Sequence, residues 1–243
     1  MAVPFDASDP FALERHEMVA QQIAGRGIAD ARVLAVLTRV PRERFVPPEC
    51  AQEAYVDKAL PIGCGATISQ PYIVAAMMEA LHAETGQTVL EVGTGSGYQS
   101  SLLALLGLRV YTIERMAELS ESAQQVVRSL AAERPDMRAL AEINFRVGDG
   151  SLGWPATTDL RPEAAPFDRI IVTAGAPTIP PTLLGQLRDG GIMVLPVGET
   201  GAQTLVSVEK KPHRTVERPL MACRFVPLVG QEGWQHDSGV GPE

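Results

Sequence analysis

The 243-residue sequence has the composition of a globular protein, with 45% hydrophobic residues, 21% charged residues and a mean hydropathy near zero. Its formal net charge is −8, from 21 basic and 29 acidic side chains, and it contains no basic block. Because binding of nucleic-acid phosphates needs clustered Lys and Arg, this charge argues against a nucleic-acid partner. The apolar runs, such as residues 101–108, are too short to span a bilayer, so we expect no membrane partner.

The cysteines and histidines predict neither a disulfide framework nor a metal site. Cys50, Cys64 and Cys223 are far apart and form no C-x-x-C pair, and the four histidines lack the spacing of metal ligands. The first ten residues, MAVPFDASDP, contain neither the charged nor the apolar region of a secretory signal. We therefore expect a cytoplasmic protein that uses no metal.

The first 68 residues predict a helical lead-in and cap. Asp and Pro mark where its helices begin and end, because an Asp side chain caps free N–H groups and Pro lacks an N–H. The expected elements, in order, are a helix from Asp9-Pro10 to Gly25, a helix capped by Asp30 and ended by Pro41, a loop over 41–50, irregular or short-stranded chain over 51–68, and a helix that starts at Ser69-Gln70-Pro71.

From Gln87 onward, alternating strand and helix patterns predict a parallel sheet with helices on both faces. The last two β segments have no helix between them, so we expect them to form an antiparallel edge. The sequence thus predicts one structural domain of the α/β class, with its core over 69–230 and a flexible tail over 231–243. The predicted strands are 87–92, 109–113, 143–147, 168–173, 191–196, 203–209 and 216–228, the helices are 98–106, 117–131 and 180–188, and 157–166 is a surface loop.

A glycine-rich loop joins the first core strand to the helix after it. In VLEVGTGSGYQ, residues 89–99, Gly93, Gly95 and Gly97 allow positive φ and a close approach of a ligand to the backbone. The helix that follows offers free N–H groups and the positive end of a dipole. The spacing is G-x-G-x-G, and Tyr98 stands where the dinucleotide fingerprint has its third glycine. The loop therefore predicts an adenosine-type cofactor and argues against a pyrophosphate.

Two acidic positions support the same kind of cofactor. Glu114 ends the next strand, where a carboxylate is placed to accept hydrogen bonds from ribose hydroxyls. Asp149 and Gly150 follow the third strand, where the carboxylate is placed to accept from the amino group of adenine. Taken singly, the three glycines are also typical of a tight turn, Glu114 of a solvated strand end and Asp149-Gly150 of a β-turn. Together, the three features favour cofactor binding. The sequence has neither a G-x-S-x-G hydrolase elbow nor a Gly-Lys-Ser/Thr phosphate loop.

Several segments, in order, resemble the bacterial protein-L-isoaspartate (D-aspartate) O-methyltransferase family. They are DKALPIGCGATISQPYIVAAMMEAL (57–81), VLEVGTGSGYQSSLLA (89–104), IER (113–115), GDG (148–150), APFDRIIVTAGAP (165–177), GGIMVLPVG (190–198) and RFVPLV (224–229). The resemblance implies a Rossmann-like fold, S-adenosylmethionine as cofactor, S-adenosylhomocysteine as product, and damaged proteins or peptides as partners. It assigns Ser69 to catalysis, and to cofactor binding it assigns Ala66, Thr67, Ile68, Gln70, Glu91, Gly93, Thr94, Gly95, Gly97, Glu114, Arg115, Asp149 and Gly150.

The reaction implied by this resemblance is methyl esterification of the carboxylate of L-isoaspartyl and D-aspartyl residues, followed by spontaneous closure to a succinimide. Residues 131–142 and 156–165 look longer than is usual in the family, and the first ten residues lie outside the match. The longer loops motivate one alternative, a carboxyl methyltransferase of the same family that is dedicated to one peptide substrate. A nicotinamide oxidoreductase and a cofactor-binding protein without turnover remain as further alternatives. We favour a monomer.

A carboxylate acceptor requires little acid–base chemistry. Its pKa is about 4, so it is ionised at pH 7 and needs no general base. What remains is in-line alignment at ~3 Å and the removal of water. The hydroxyl of Ser69 can bond one carboxylate oxygen and leave the other facing the methyl group, and Thr67 is a second candidate. Ser69 also stands where a helix cap is expected, so the sequence leaves both roles open.

Overall fold

The computed structural model describes residues 9–155 and 165–235. A two-stranded hairpin, β1–β2, precedes a sheet of seven strands. Most of the predicted loop over 157–166 and of the predicted tail lies outside the described residues. The strands are β1 Leu60–Gly63, β2 Ala66–Ile68, β3 Thr88–Val92, β4 Arg109–Glu114, β5 Asn144–Val147, β6 Phe167–Val172, β7 Leu187–Glu199, β8 Ala202–Lys211 and β9 Arg214–Cys223.

Helices cover both faces of the sheet and form the lead-in. After the first α-helix, α1 (Ala12–Glu17), the chain continues as a π-helix, Met18–Ile23, and a 3-10 helix, Ala24–Arg26. The start of α2 (Ala31–Arg39) is as predicted, because the Asp30 side chain accepts hydrogen bonds from the N–H groups of Arg32 and Val33. The α-helices are α1 Ala12–Glu17, α2 Ala31–Arg39, α3 Pro71–Ala80, α4 Tyr98–Leu105, α5 Ala117–Glu133 and α6 Pro181–Gln186, and further 3-10 helices are Arg42–Phe45, Pro48–Glu53, Pro135–Glu142 and Gly150–Leu152.

The strand order of the large sheet is β5-β4-β3-β6-β7-β8-β9. Neighbouring strands from β5 to β7 pair in parallel, whereas β8 is antiparallel to β7 and β9 is antiparallel to β8. The predicted mostly parallel, Rossmann-like sheet with an antiparallel C-terminal edge is therefore confirmed. The chain runs outward from β3 to β5 and then returns to the other side of β3 as β6, which leaves a crevice at the carboxyl ends of these strands.

Neighbouring residues of the central strands point to opposite faces, so the sheet has an apolar core on each side. On one face, Val89 and Val110 belong to the core that also contains residues of the lead-in and of α3, α4 and α5. On the other face, Leu90 and Tyr111 belong to the core that contains Leu183 of α6. The lead-in thus shares a core with the sheet.

Two predictions for the lead-in need correction. The first helix begins at Ala12 rather than at Asp9-Pro10, because the Asp9 carboxylate accepts a hydrogen bond from the N–H of Phe11 at 2.9 Å and closes a turn there. The predicted loop over 41–50 contains two 3-10 helices. Each of them begins next to proline, whose fixed φ favours such tight turns.

The C-terminal elements also differ from the predicted ones. The last helix ends at Gln186 instead of 188, and β7 begins at Leu187 instead of 191 because Leu187 already pairs with β6 across a bulge. The last strand ends at Cys223 instead of 228. Beyond it the chain turns toward Gly175, whose N–H donates to the carbonyl of Val226 at 2.8 Å.

Residues 231–235 belong to the predicted flexible tail, but the structure packs them onto the core. The Glu232 carboxylate accepts a hydrogen bond from the N–H of Thr182 at 2.8 Å, and the indole N–H of Trp234 donates to the carbonyl of Gly175 at 3.0 Å. These long-range contacts hold the segment in place. The boundary of the folded core therefore lies beyond residue 230, and the remaining tail lies outside the described residues.

Candidate active site

A cavity of about 390 Å³, the main cavity, opens at the carboxyl ends of β3, β4 and β6. This is the crevice where the strand order reverses, the usual place for a ligand in such sheets. Its wall combines the glycine loop, the end of β4, the β1–β2 hairpin and the chain after β9. The residues that the sequence predicted and that line it are Ala66, Thr67, Gly93, Gly95, Glu114, Arg115 and Gly150.

The glycine loop is held by both strands that flank β3. Gly93 has a φ of +93°, and a side chain there would collide with Oγ1 of Thr173, at the end of β6. This Oγ1 donates a hydrogen bond to the Gly93 carbonyl at 2.7 Å, while the Gly93 N–H donates to the carbonyl of Ile113 in β4 at 2.9 Å. Only glycine fits this position without strain.

Gly97 controls the start of α4 rather than the wall of the cavity. It is the N-cap residue with a φ of +83°, and a Cβ there would lie 3.2 Å from the Cβ of Ala123 in α5. The close packing of α4 on α5 accounts for glycine at this position. Gly97 was predicted to bind the cofactor, but it is absent from the wall of the main cavity in the part of the chain that is described.

Glu114 lies on the cavity wall at the carboxyl end of β4, as predicted. Its side chain accepts hydrogen bonds from the N–H of Gly95 at 3.0 Å and from the N–H of Met116 at 3.1 Å. The residue is only 7% exposed, yet it borders the main cavity. A carboxylate has about four acceptor sites, so these two bonds leave capacity for hydroxyl groups of a ligand.

Glu91, in the middle of the sheet, is a fully buried acid beside the glycine loop. One carboxylate oxygen accepts hydrogen bonds from the hydroxyls of Thr112, at 2.7 Å, and Ser100, whereas the other oxygen has no partner among the described residues. Burial raises the pKa of Glu91 to about 7. The hydroxyl of Thr94 lies 2.7 Å from that of Thr112 and extends the network to the loop.

Asp149 was predicted to face adenine, and the structure gives its carboxylate other partners. One oxygen accepts from the N–H of Ser151 at 2.9 Å and from its hydroxyl at 2.7 Å, and the other accepts from the N–H of Gln231 at 2.8 Å. Asp149 thereby caps a 3-10 helix and anchors residues 231–235. Its neighbour Gly150 lines the main cavity, whereas Asp149 is absent from that wall in the described ranges.

Ser69 lies between β2 and α3, and the structure excludes one of the two roles left open by the sequence. The N-cap residue of α3 is Gln70, and no side chain within the described chain caps this helix. Ser69 is therefore not a helix cap. Its main-chain carbonyl accepts a hydrogen bond from Arg42 at 2.7 Å, which fixes the backbone at this point.

Two smaller cavities adjoin the main cavity on the side of Ser69, and Ser69 lines both. One, lined by Arg224 and called the Arg224 cavity, has a volume of about 50 Å³. The other, lined by Glu91 and called the Glu91 cavity, has a volume of about 40 Å³. Thr67 and Thr173 line all three cavities, so the cavities meet at these two side chains. The Arg224 cavity is also lined by Gln70, Thr200, Gly201 and Arg224, and the Glu91 cavity by Ile68, Glu91, Thr94 and Tyr98.

Several wall residues were not predicted as site residues. Cys64, Met116 and Leu119 give the main cavity part of its apolar surface, and Thr173 joins it to the smaller cavities. Thr173 and residues 226–229 belong to segments that carry the family resemblance, which is the signal that points to them. Met116 directly follows the predicted Glu114-Arg115 pair, so its place beside the site could have been predicted from the end of that strand.

The described part of the chain contains no helix long and apolar enough to cross a membrane. Within the same residues, no group of three or more His, Cys, Asp or Glu side chains is arranged to hold a metal ion.

Comparison with known proteins finds relatives that share one family description. A family model described as protein-L-isoaspartate(D-aspartate) O-methyltransferase matches residues 13–233. The protein-L-isoaspartate O-methyltransferase of Trichlorobacter lovleyi is 48% identical over 229 residues, which cover 94% of this chain and 99% of the relative. That of a Synechococcus species is 45% identical over 233 residues, covering 93% of this chain and 89% of the relative.

Solved structures show the same fold. A protein-L-isoaspartate O-methyltransferase structure superposes with a TM-score of 0.74 at 26% identity, covering 90% of this chain and 67% of its own. A Plasmodium falciparum protein, solved in complex with S-adenosyl-L-homocysteine, has a TM-score of 0.69 at 21% identity, covering 87% of this chain and 96% of its own. From the extent of the family match and the identity to these relatives, the chain belongs to the protein-L-isoaspartate (D-aspartate) O-methyltransferase family.

Proposed function

We propose that this protein transfers the methyl group of S-adenosylmethionine to the carboxylate of L-isoaspartyl and D-aspartyl residues in damaged proteins and peptides, with S-adenosylhomocysteine as the second product. The observation that carries the proposal is the junction of the main cavity with the Arg224 cavity at Thr67 and Thr173. A cavity with the volume of a small-molecule site thus lies directly beside a second one that suits an anionic acceptor. Membership in the family supports the same reaction.

The groups on the main cavity fit an adenosyl cofactor. Glu114 would accept hydrogen bonds from ribose hydroxyls, and Met116 and Leu119 provide apolar contact for a base. On the adjoining Glu91 cavity, the carboxylate oxygen of Glu91 that has no partner among the described residues suits the cationic end of the ligand, since a buried acceptor without a partner is costly. The cofactor supplies a methyl group on a sulfonium that carries its own leaving group.

The Arg224 cavity fits the methyl acceptor. Arg224 is the only ionisable side chain on its wall within the described residues, and an arginine recognises a carboxylate by charge and by paired N–H groups. In this proposal the hydroxyl of Ser69, which lines the same cavity, bonds one acceptor oxygen and leaves the other facing the main cavity. No general base is needed, because a carboxylate with a pKa of about 4 is already ionised.

Events after the transfer need no further residue of this chain. The backbone N–H that follows the esterified residue attacks the ester carbonyl, methanol leaves, and the resulting succinimide opens partly to normal aspartate. We place this repair in the cytoplasm, which is supported by three free cysteines in the structure. A monomer suffices, because one chain supplies the walls of all three cavities.

The proposal is tested by incubating the protein with methyl-labelled S-adenosylmethionine and peptide pairs that differ only in Asp or isoAsp. We expect label in the isoAsp peptides alone, and we expect it to be released as methanol in mild alkali, as for a methyl ester. Peptides of unrelated sequence separate general repair from a dedicated substrate. Bound cofactor without transfer to any isoAsp peptide contradicts the proposal.

A further inference from the structure

Arg42 is a completely buried cation whose side chain donates hydrogen bonds to main-chain carbonyls. It lies in the 3-10 helix Arg42–Phe45 of the lead-in. Its Nε donates to the carbonyl of Ala54 at 2.7 Å, and its Nη2 donates to the carbonyl of Ser69 at 2.7 Å. Nη1 is buried and has no partner among these residues. The side chain therefore holds the backbone of Ser69 directly.

The same guanidinium also packs against the ring of Tyr98. The central carbon of the guanidinium is 4.9 Å from the centre of the Tyr98 ring, a cation–π distance. Tyr98 is the first residue of α4 and directly follows Gly97 of the glycine loop. One side chain thus joins the segment of Ser69 to the helix that begins at the glycine loop.

Stability alone does not account for an arginine at this position. Burying a cation is costly even though Asp57 attracts it electrostatically, and an apolar side chain of similar volume is often neutral or stabilising in such places. Burial also lowers the pKa of Arg42. What an apolar residue would lose is the set of directed bonds to Ala54 and Ser69. What arginine contributes is therefore a fixed position for these two carbonyls.

We propose that Arg42 is a positioning residue for methyl transfer, which sets the position of Ser69 relative to the glycine-loop helix through the Ser69 carbonyl and the Tyr98 ring. This inference rests on the proposed function, because the alignment matters only if Ser69 orients the acceptor. An error of about 1 Å in such an alignment costs as much as 10²-fold in rate. Arg42 does not line any of the three cavities, so its effect runs through Ser69.

The test is a double-mutant cycle in the full-length protein, with Arg42→Lys, Ser69→Ala and the combination. We expect Arg42→Lys to lower kcat on an isoAsp peptide about tenfold, with the KM of the peptide and the Kd of S-adenosylmethionine within about twofold of wild type. In the Ser69→Ala background, Arg42→Lys should lower kcat less than about twofold. Equal losses in both backgrounds overturn the inference.

Arg169 provides a matched control, since it is also buried and bonded to main-chain carbonyls, of Asp168 at 2.8 Å and His82 at 2.9 Å. We expect Arg169→Lys to lower the melting temperature while kcat is retained. A tenfold loss of kcat in this control shows a general effect of core damage and overturns the inference.

If Arg42→Lys fails to fold, Tyr98→Leu removes the ring under the guanidinium and carries the test. We expect it to lower kcat at least about threefold, and an unchanged kcat overturns the inference. A wild-type protein that is inactive on all isoAsp peptides contradicts the proposed function instead, so the two failures are distinguishable.

Discussion

Thr173 and Gly93 are joined across the crevice between β6 and β3 by a 2.7 Å hydrogen bond from the Thr173 hydroxyl to the Gly93 carbonyl. The same hydroxyl oxygen occupies the space that a Cβ at Gly93 would need. Thr173 also lines all three cavities of the candidate site. One contact therefore sets the first turn of the glycine loop and the wall at which the cavities meet.

Gly93→Ala is expected to lower both stability and cofactor affinity. Alanine at a φ of +93° is strained by about 1–2 kcal/mol, and its Cβ collides with Thr173. We expect at least about tenfold weaker binding of S-adenosylhomocysteine by calorimetry, since the loop must shift. Adding Thr173→Ala removes the collision but not the strain, so the double variant should regain part of the lost melting temperature. A Gly93→Ala protein that binds like wild type contradicts this account.

Ser69→Ala is expected to slow turnover without loss of stability. The side chain caps no helix, so the melting temperature should stay within the range of an ordinary surface substitution, about ±0.5 kcal/mol in unfolding free energy. Loss of one hydrogen bond to the acceptor predicts a kcat that is about tenfold lower. Steady-state kinetics measure the change in kcat, and calorimetry measures the change in stability. A lower melting temperature with an unchanged kcat would contradict the assignment of Ser69 to catalysis.

The sequence predicted those parts of the site that follow from local pattern. Glu114 and the glycine loop could be placed because the alternation of strands and helices predicts that β3 and β4 are parallel. The carboxyl ends of parallel strands lie at the same edge of the sheet. The contacts that fix them could not, since the hydroxyl of Thr173 and the Gly93 carbonyl are 80 positions apart. Arg42 looked like part of a loop, and its bond to Ser69, 27 positions away, exists only in the fold.

Asp149 is a second residue whose contacts could not be predicted from local sequence pattern. An Asp-Gly pair after a strand is typical both of a ligand contact and of a cap, and local pattern does not separate them. Its partner Gln231 is 82 positions away, in a segment whose polar composition predicted a flexible tail. The contact that shows Asp149 as an anchor for residues 231–235 therefore cannot be predicted until the C-terminal segment is placed against the end of β5.

Glu114 and Asp149 should respond differently to substitution. Glu114→Ala removes a carboxylate from the wall of the main cavity, so we expect S-adenosylmethionine to bind more weakly by ~1.5–3 kcal/mol. Asp149→Ala should instead lower the melting temperature, because it frees the N–H groups of Ser151 and Gln231.

An adenine contact at Asp149 can be tested with the inosine analogue of S-adenosylhomocysteine, which lacks the amino group. We expect the preference for adenine over hypoxanthine to be the same in wild type and in Asp149→Ala, by calorimetry. A preference that disappears in the variant shows that Asp149 reads the adenine amino group. It then restores the role that the sequence predicted.

Glu91 should make the stability of the free protein depend on pH. Burial raises its pKa from the ordinary 4.5 to about 7, so between these values the folded state binds more protons than the unfolded state. The stabilising contribution of the protonated acid is therefore complete below about pH 4.5 and is lost as pH rises through 7. Over this window the loss amounts to about 3 kcal/mol.

Glu91→Gln removes the titration and keeps a side chain of nearly the same shape. We expect the unfolding free energy of the variant, relative to wild type, to rise with pH between 5 and 8 when both are measured by urea denaturation without cofactor. S-adenosylmethionine should reduce this rise, since its positive charges favour the ionised carboxylate. Parallel pH profiles for the two proteins would mean that Glu91 titrates at its ordinary pKa despite its burial. A rise with pH that S-adenosylmethionine leaves unchanged would show that the charge of the bound cofactor does not act on Glu91.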